Sequence, residues 1–335
     1  MGKDVIHKRC LGDNVRYADL LNGLLFGGRQ EISPDDVQES DSQTSSAKAR
    51  DIVKKVACGT NFAVIGVENQ EKVHYAMPFR SMYYDAMEYD RQVRAIRKQV
   101  RGTRKGQEKQ KAEGLETERI TDAEYLSGFR KADKLLPCIT LVLYYGDEWD
   151  GPRELADILE LSDLPVELKR YVNNYPLHLF CVKEFTDEDT EVFRTDLKQI
   201  FDFIRYSGDK RRLWQLVENN PAYREMDEDA YDMVMEYTNS TELVAKKDLY
   251  RKGKKLDVCE GIRGMMEDER QAGIKQGIEQ GIEQGMELAR EEFIKIFILD
   301  NQESGTPRER VAEKLVRRFG MTAERAEEYL KKMNY

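Results

Sequence analysis

Between Leu135 and Gly146 the chain reads LLPCITLVLYYG, apolar at nearly every position. A strand with one wet face alternates polar and apolar residues. A nearly continuous apolar strand is covered on both faces, so this segment predicts a central strand with helices packed above and below its sheet. Other stretches supply the rest of such a sheet. Ile52–Cys58 and Phe62–Glu68 are strand-like and joined at Gly59-Thr60, which predicts a hairpin, and HLFCV at 178–182 predicts another strand.

Helical spacing surrounds these strands. Residues 14–26 carry Val15, Leu20, Leu21, Leu24 and Leu25 at helical intervals and stop at Gly27-Gly28. A second helix runs from Met77 to about Val100, a third covers Glu188–Tyr206, and further helices extend to about residue 250. Residues 33–47, rich in Ser, Asp, Gln and Thr, read as a loop, and the polar, glycine-marked stretch 101–120 reads as a flexible basic insertion. The predicted fold is α/β: a mixed central sheet flanked by helices over residues 10–210, a helical extension over 211–260, and an appended helical region over 261–335.

The last region begins with a four-residue repeat, GIKQGIEQGIEQGMEL, with glycines at 273, 277, 281 and 285. Each glycine costs a helix about 1 kcal/mol relative to alanine, so the helix needs a partner surface. Ile274, Ile278, Ile282 and Met286 form one apolar stripe for that purpose. That partner is either the chain's own core domain or the same helix of a second subunit, giving a homodimer; the bland alternative is a repeat that only tethers the terminal hairpin. Beyond it, Thr306-Pro307-Arg308-Glu309 spells a capping box that opens a helix carrying Val311, Leu315, Val316 and Phe319. Gly320 closes that helix, and Thr322 caps a second one carrying Ala326, Tyr329, Leu330 and Met333, so a helical hairpin is expected.

Composition narrows the function. Of 335 residues, 35% are charged and the net charge is −9, which argues against a protein that simply coats nucleic acid. No apolar run approaches the roughly 20 residues needed to cross a bilayer, and Met1 to Asn14 lacks the apolar stretch of a secretory signal. A soluble cytoplasmic protein with no membrane partner is expected. The five cysteines form no Cys-x-x-Cys pair, which excludes a zinc finger or ribbon. Cys58, Cys138 and Cys181 lie in apolar runs and read as buried thiols. None of the three histidines has an i, i+4 partner, so any metal would be a hard cation held by carboxylates.

The hairpin offers such carboxylates. A two-residue turn at Gly59-Thr60 pairs residues whose numbers sum to 119, and 51 + 68 = 119 sets Asp51 directly opposite Glu68. Opposed residues share a face with Cβ atoms about 5 Å apart. Two like charges there destabilise the hairpin unless a divalent cation lies between them, and Asp51→Asn is then expected to stabilise the metal-free protein. Gln70 continues the Glu68 face, so Asp51, Glu68 and Gln70 are expected to converge. Two carboxylates suit Mg2+, and the amide of Gln70 would orient an attacking water. The bland reading is that these acids only mark where a strand leaves the core.

The segment VIGVENQEKVHYAMPFRSMYYDAMEY (64–89) resembles the recombination-promoting nuclease (Rpn) family, transposase-like members of the PD-(D/E)XK nuclease superfamily. The matching features are an apolar strand ending in Glu68-x-Gln70, followed by a helix with Arg80 and Tyr84. Asp51 matches the upstream aspartate, RYADLLN matches the N-terminal helix with Asp19 in its acidic position, and 135–152 resembles the next core strand and loop. The resemblance spans roughly 14–210 and implies a restriction-endonuclease-like fold and a Mg2+- or Mn2+-dependent DNA endonuclease. In it Asp51 and Glu68 hold metal, Gln70 positions water and Asp19 supports them. The superfamily's usual motif ends in lysine where this chain has Gln70.

Other residues carry two readings. Arg80 and Tyr84, one turn apart, either touch DNA or pack with Arg80 snorkelling. Arg94, Arg97, Lys98 and Arg101 belong to a basic run that either tracks a phosphate backbone or forms a solvated face. Asp19 is either a third site carboxylate or a polar residue on the outer side of its helix. The competing function is a catalytically inactive DNA-binding or self-assembling scaffold that retains the fold.

Overall fold

A computed structural model describes residues 3–40, 51–59, 61–112, 120–237 and 240–335. The chain divides into two compact units, Met1–Ile262 and Arg263–Tyr335. The first unit holds a five-stranded sheet in the order β1 (Val37–Glu39), β2 (Ile52–Cys58), β3 (Asn61–Gln70), β4 (Cys138–Tyr144), β5 (His178–Cys181). The first three strands are antiparallel neighbours, and β3–β4 and β4–β5 are parallel. The sheet is therefore mixed, with the apolar run of 135–146 in β4, flanked on both sides.

The hairpin has the expected register, from Cys58 opposite Asn61 to Ile52 opposite Val67. Gly59 turns the chain at φ +62°, a left-handed value that glycine adopts without cost. Cys58, however, is exposed, because it sits at the turn rather than under a helix, whereas Cys138 and Cys181 are buried.

Helix α1 (Lys3–Leu11) precedes α2 (Asn14–Phe26). Asp13 caps α2 by accepting from the N–H groups of Val15 and Arg16, and Gly27 ends it at φ +59°. Tyr17 of α2 donates its hydroxyl to the Ile65 carbonyl of β3 at 2.7 Å, which docks α2 on one face of the sheet. The opposite face is covered by α3 (Met77–Ala112). There Val53, Val64 and Cys138 pack with Tyr89, while Met77 joins Val142, Tyr144, Trp149, Leu177 and Cys181. Gln92 of α3 donates to the Leu136 carbonyl and accepts the Leu136 N–H, so the helix completes the hydrogen bonding of the chain entering β4.

Several boundaries differ from the sequence expectation. The supposed loop at 33–47 contains a 3-10 turn, Pro34–Asp36, and strand β1; residues 41–50 lie outside the described ones. Asn14 donates to the Val37 carbonyl, and the buried Lys54 ammonium pairs with Glu39 and bonds Asn14. Contacts from α2 and β2 thus make a strand of a polar segment. The supposed flexible insertion begins as helix, since α3 continues unbroken through Ala112, and 113–119 lie outside the described residues. The expected helix Glu188–Tyr206 is two helices, Asp187–Glu191 and Leu197–Tyr206. The stretch 211–260 is not wholly helical, because Arg251–Lys252 and Lys255–Leu256 form a small hairpin. Nor does it stand apart from the core, for Arg9 of α1 pairs with Asp229 and Asp232 of helix Glu228–Tyr237.

In the second unit, helix Val258–Glu303, which starts just before the division, carries the whole glycine repeat. Its end packs with the two following helices: Ile294 and Ile298 are buried against Val311, Leu315, Ala326 and Leu330. Thr322 caps the last helix as expected. The Thr306 capping box does not form; Pro307 is the cap residue of Arg308–Phe319 and makes no side-chain cap bond. Thr306 is committed elsewhere, its N–H to Asn301 and its carbonyl to the Tyr335 hydroxyl. No described helix is long and apolar enough to cross a membrane.

A Cβ added at Gly273, Gly277, Gly281 or Gly285 meets nothing within 4 Å. Replacing all four by alanine is therefore expected to raise the stability of this helix by up to about 1 kcal/mol per site, read as a higher thermal midpoint in circular dichroism. A lowered midpoint would mean that the glycine edge is covered in solution.

Candidate active site at the ends of the central strands

At the ends of β3 and β4 the sheet stops being apolar. Extending the β2–β3 register by one step sets Asp51 opposite Glu68, as the numbering arithmetic requires. Glu68 is 1% exposed, and Asp51 and Gln70 are half-buried. A carboxylate so deeply buried needs a partner to stay charged. Arg80, from the first turn of α3, provides one through an ion pair to Glu68 Oε1. The Gln70 amide donates to the same oxygen at 3.2 Å.

Arg80 is held from its other side too. Its Nε donates to the Tyr84 hydroxyl at 2.7 Å, and its guanidinium carbon lies 5.5 Å from the centre of the Tyr84 ring. Burial works against the guanidinium charge, but Glu68, Tyr84 and Asp51 outweigh it and raise its pKa above the ordinary arginine value. The Tyr84 phenol is raised as well, by burial first, with Glu68 and Asp51 adding to it and Arg80 opposing. Hydrogen bonds and the ion pair thus join Glu68, Gln70, Arg80 and Tyr84, and Asp51 lies near enough for its charge to act on Arg80 and Tyr84.

Asp51 is oriented by residues that the sequence did not single out. Its Oδ2 accepts from the Asn69 backbone N–H at 2.8 Å and from Asn69 Nδ2 at 3.3 Å. Asn69 Oδ1 in turn accepts from the buried Tyr145 hydroxyl at 3.2 Å. Burial raises the Tyr145 phenol well above its ordinary value, with Cys10 and Asp51 contributing, so it remains a proton donor. Strand alternation assigns Asn69 to the face opposite Glu68. In the sequence, Tyr145 is simply the end of an apolar run. The usable signal was that Asn69 lies between two site residues where the strand leaves the sheet.

The opposed acids are thus not a bare repulsive pair, since Arg80 faces Glu68 and two N–H donors of Asn69 face Asp51. The expectation that Asp51→Asn stabilises the metal-free protein is corrected accordingly. Asp19 has partners of its own away from these residues. It is buried on α2, and its two oxygens accept from the Arg194 N–H, the Thr195 N–H at 2.8 Å and the Thr195 hydroxyl at 2.6 Å. These bonds tie down the break between helices Asp187–Glu191 and Leu197–Tyr206. One turn along α2, a Cβ on Gly23 would fall 2.1 Å from the Phe193 ring, so the same edge of α2 receives the whole turn. Asp19 is an anchor for that turn and not a third site carboxylate.

The basic residues of α3 stand further along the helix. Arg94, Arg97, Lys98 and Arg101 are exposed, and Arg94 pairs with Asp90. At 1.5 Å per residue, Arg97 is about 25 Å along the axis from Arg80, so the fold brings Arg80 and Tyr84 to the acids and leaves the basic run away from them.

No protein-family model matches this chain, and no curated protein or solved structure matches it either.

Arg80→Ala is expected to destabilise the fold by about 2 kcal/mol, less than a fully buried pair costs because Arg80 is partly exposed. Adding Glu68→Gln should recover most of that loss in urea unfolding; a purely additive double mutant would mean that the pair is not coupled. Asp19→Ala should cost about 2–3 kcal/mol by orphaning buried N–H groups, and an unchanged urea midpoint would contradict its anchoring role.

Proposed function

We propose that the chain is a Mg2+- or Mn2+-dependent DNA endonuclease acting on phosphodiester bonds in a recombination or transposition setting, with a fold of the restriction-endonuclease type. The observation that carries this reading is the convergence of Glu68, Gln70, Arg80 and Tyr84, with Asp51 across the hairpin, at the C-terminal ends of two parallel strands. The resemblance of 64–89 to the Rpn family supports it. The donors of Asp51, Glu68 and Gln70 are all oxygen, which fits a hard divalent cation and not zinc or copper. Asp51 and Glu68 would hold it. When bound, such a cation would act as a Lewis acid on a phosphoryl oxygen.

The protein's own groups have distinct tasks. The guanidinium of Arg80 is a planar fork suited to a phosphate. It is about one-third exposed, so a phosphate oxygen can take a hydrogen bond there while Glu68 keeps the group charged. Tyr84 fixes the arginine by accepting from Nε. Gln70 orients a water through its amide but carries no charge, unlike the lysine usual in the superfamily. Asn69 and Tyr145 set the direction of Asp51.

The second reading is a DNA-binding or scaffold protein without chemistry. One observation favours it: Arg80 already neutralises Glu68. Nicking of supercoiled plasmid with and without Mg2+ separates the two. Asp51→Ala and Glu68→Ala are each expected to abolish nicking, and full activity in either folded variant would sink the assignment. Gln70→Lys should retain or increase cleavage.

Cleaving both strands of a duplex calls for two active sites, and a symmetric dimer supplies them. The exposed stripe Ile274, Ile278, Ile282 and Met286 is a candidate surface for a second copy. Light scattering should find the full chain dimeric and a chain ending at Leu256 monomeric; two monomers would leave the repeat a tether.

A further inference from the structure

Helix α3 has a second face that the active site does not use. With 3.6 residues per turn, Phe79, Tyr83, Asp90, Arg94, Arg97 and Arg101 fall within an arc of about 60° and span about 33 Å of helix. All six are exposed. Phe79 is 50% and Tyr83 43% exposed, and neither belongs to a core cluster on that side of the sheet. Their rings lie nearly parallel, at 18°, with centroids 6.2 Å apart. They are also the immediate chain neighbours of Arg80 and Tyr84, whose side chains turn inward to Glu68.

The far end of the face is basic. Among the described residues, Arg97 and Arg101 have no ion pair, and Arg94 is held only by Asp90 on the same face. An exposed i, i+4 pair of that kind is worth only a few tenths of a kcal/mol, so Asp90 does little to hold Arg94 back from a phosphate. The face thus carries flat rings beside the candidate site and arginines along the run leading to it.

We propose that this face of α3 binds single-stranded nucleic acid, with bases stacking on Phe79 and Tyr83 and phosphates following Arg94, Arg97 and Arg101. The proposal rests on the nuclease reading only for the site to which the track leads. A duplex offers phosphates to arginines, but its base faces are already covered by neighbouring pairs. Exposed rings gain a stacking partner only from unpaired bases. The substrate class is therefore an unpaired strand, or a duplex end or gap that exposes one.

The test uses the full chain in EDTA, so that no cleavage intervenes, with a labelled thymidylate 20-mer and a blunt duplex of the same length. The single strand is expected to bind tighter. Because one base–ring stack changes affinity by about 5- to 150-fold, Phe79→Ala with Tyr83→Ala should weaken single-strand binding at least about 10-fold. Duplex affinity and the salt slope should stay unchanged. Phe79→Tyr with Tyr83→Phe should bind as the parent does, whereas Phe79→Leu with Tyr83→Leu, apolar but without rings, should bind as the alanine pair does. Glutamine at Arg94, Arg97 and Arg101 should instead flatten the slope of log K against log salt by up to about 2, from roughly 0.7 per contact on a single strand.

Any of three results overturns the proposal: no micromolar binding of the 20-mer, leucine variants that bind as the parent does, or variants that change the oligomeric state by light scattering while binding is unchanged. Loss of Mg2+-dependent nicking with single-strand binding intact overturns only the nuclease reading. Intact nicking with no effect of the rings overturns only the track.

Discussion

A carboxylate that is 1% exposed at the end of a strand imposes a condition on everything around it, because an unpaired charge at that depth is too costly to keep. Arg80 meets the condition through its ion pair to Glu68, which ties the first turn of α3 to the end of β3. Further bonds tie the rest of the helix to the sheet. Asp85, the next inward acid, accepts from Thr140 of β4 at 2.8 Å and from the Tyr175 hydroxyl. Gln92 then closes the row by pairing both ways with the Leu136 backbone. The helix is seated on the sheet by this polar row together with the flanking apolar clusters, so a rotation of α3 would break several buried bonds at once.

That arrangement explains how the candidate site can be rigid while lying where the strands leave the sheet. Each acid has donors fixed by the backbone or by a packed side chain. Asp51 is aimed by the Asn69 amides, themselves oriented by the Tyr145 phenol, and Glu68 by an arginine that Tyr84 steadies. A carboxylate's role here is decided by the donors that reach it. Asp19 is a buried carboxylate like Glu68, yet backbone N–H groups of the 194–195 turn occupy both its oxygens, and it serves to hold that turn.

One helix also serves two faces. Inward, α3 brings Arg80 and Tyr84 to the acids; outward, it carries Phe79, Tyr83 and the arginines. A strand bound along the outer face would follow the same helix as the polar row and arrive beside Arg80. The net charge of −9 does not oppose this. Screening confines electrostatic influence to about 10 Å, so the local arginines matter more than the sum over the chain.

The sequence by itself determined the mixed α/β class, the place of β4 inside the sheet between two neighbours, and the hairpin register from Cys58–Asn61 to Ile52–Val67. Each of these follows from local rules: apolar continuity, strand alternation and a glycine where the hairpin turns. It also marked the helix that carries the glycine repeat. Tertiary structure alone decided the rest. Val37–Glu39 is a strand because Asn14 and Lys54 reach it, and no periodicity in a Ser- and Asp-rich segment records that. Glu188–Tyr206 breaks in two because Asp19, some 175 residues earlier, takes the N–H groups at the break. Glu68 is balanced by Arg80 and Asp51 by Asn69 because a helix and a strand end meet in space. Local pattern sets which elements form and in what register; which charge meets which partner depends on contacts between distant residues, and those are decided only when the chain is packed.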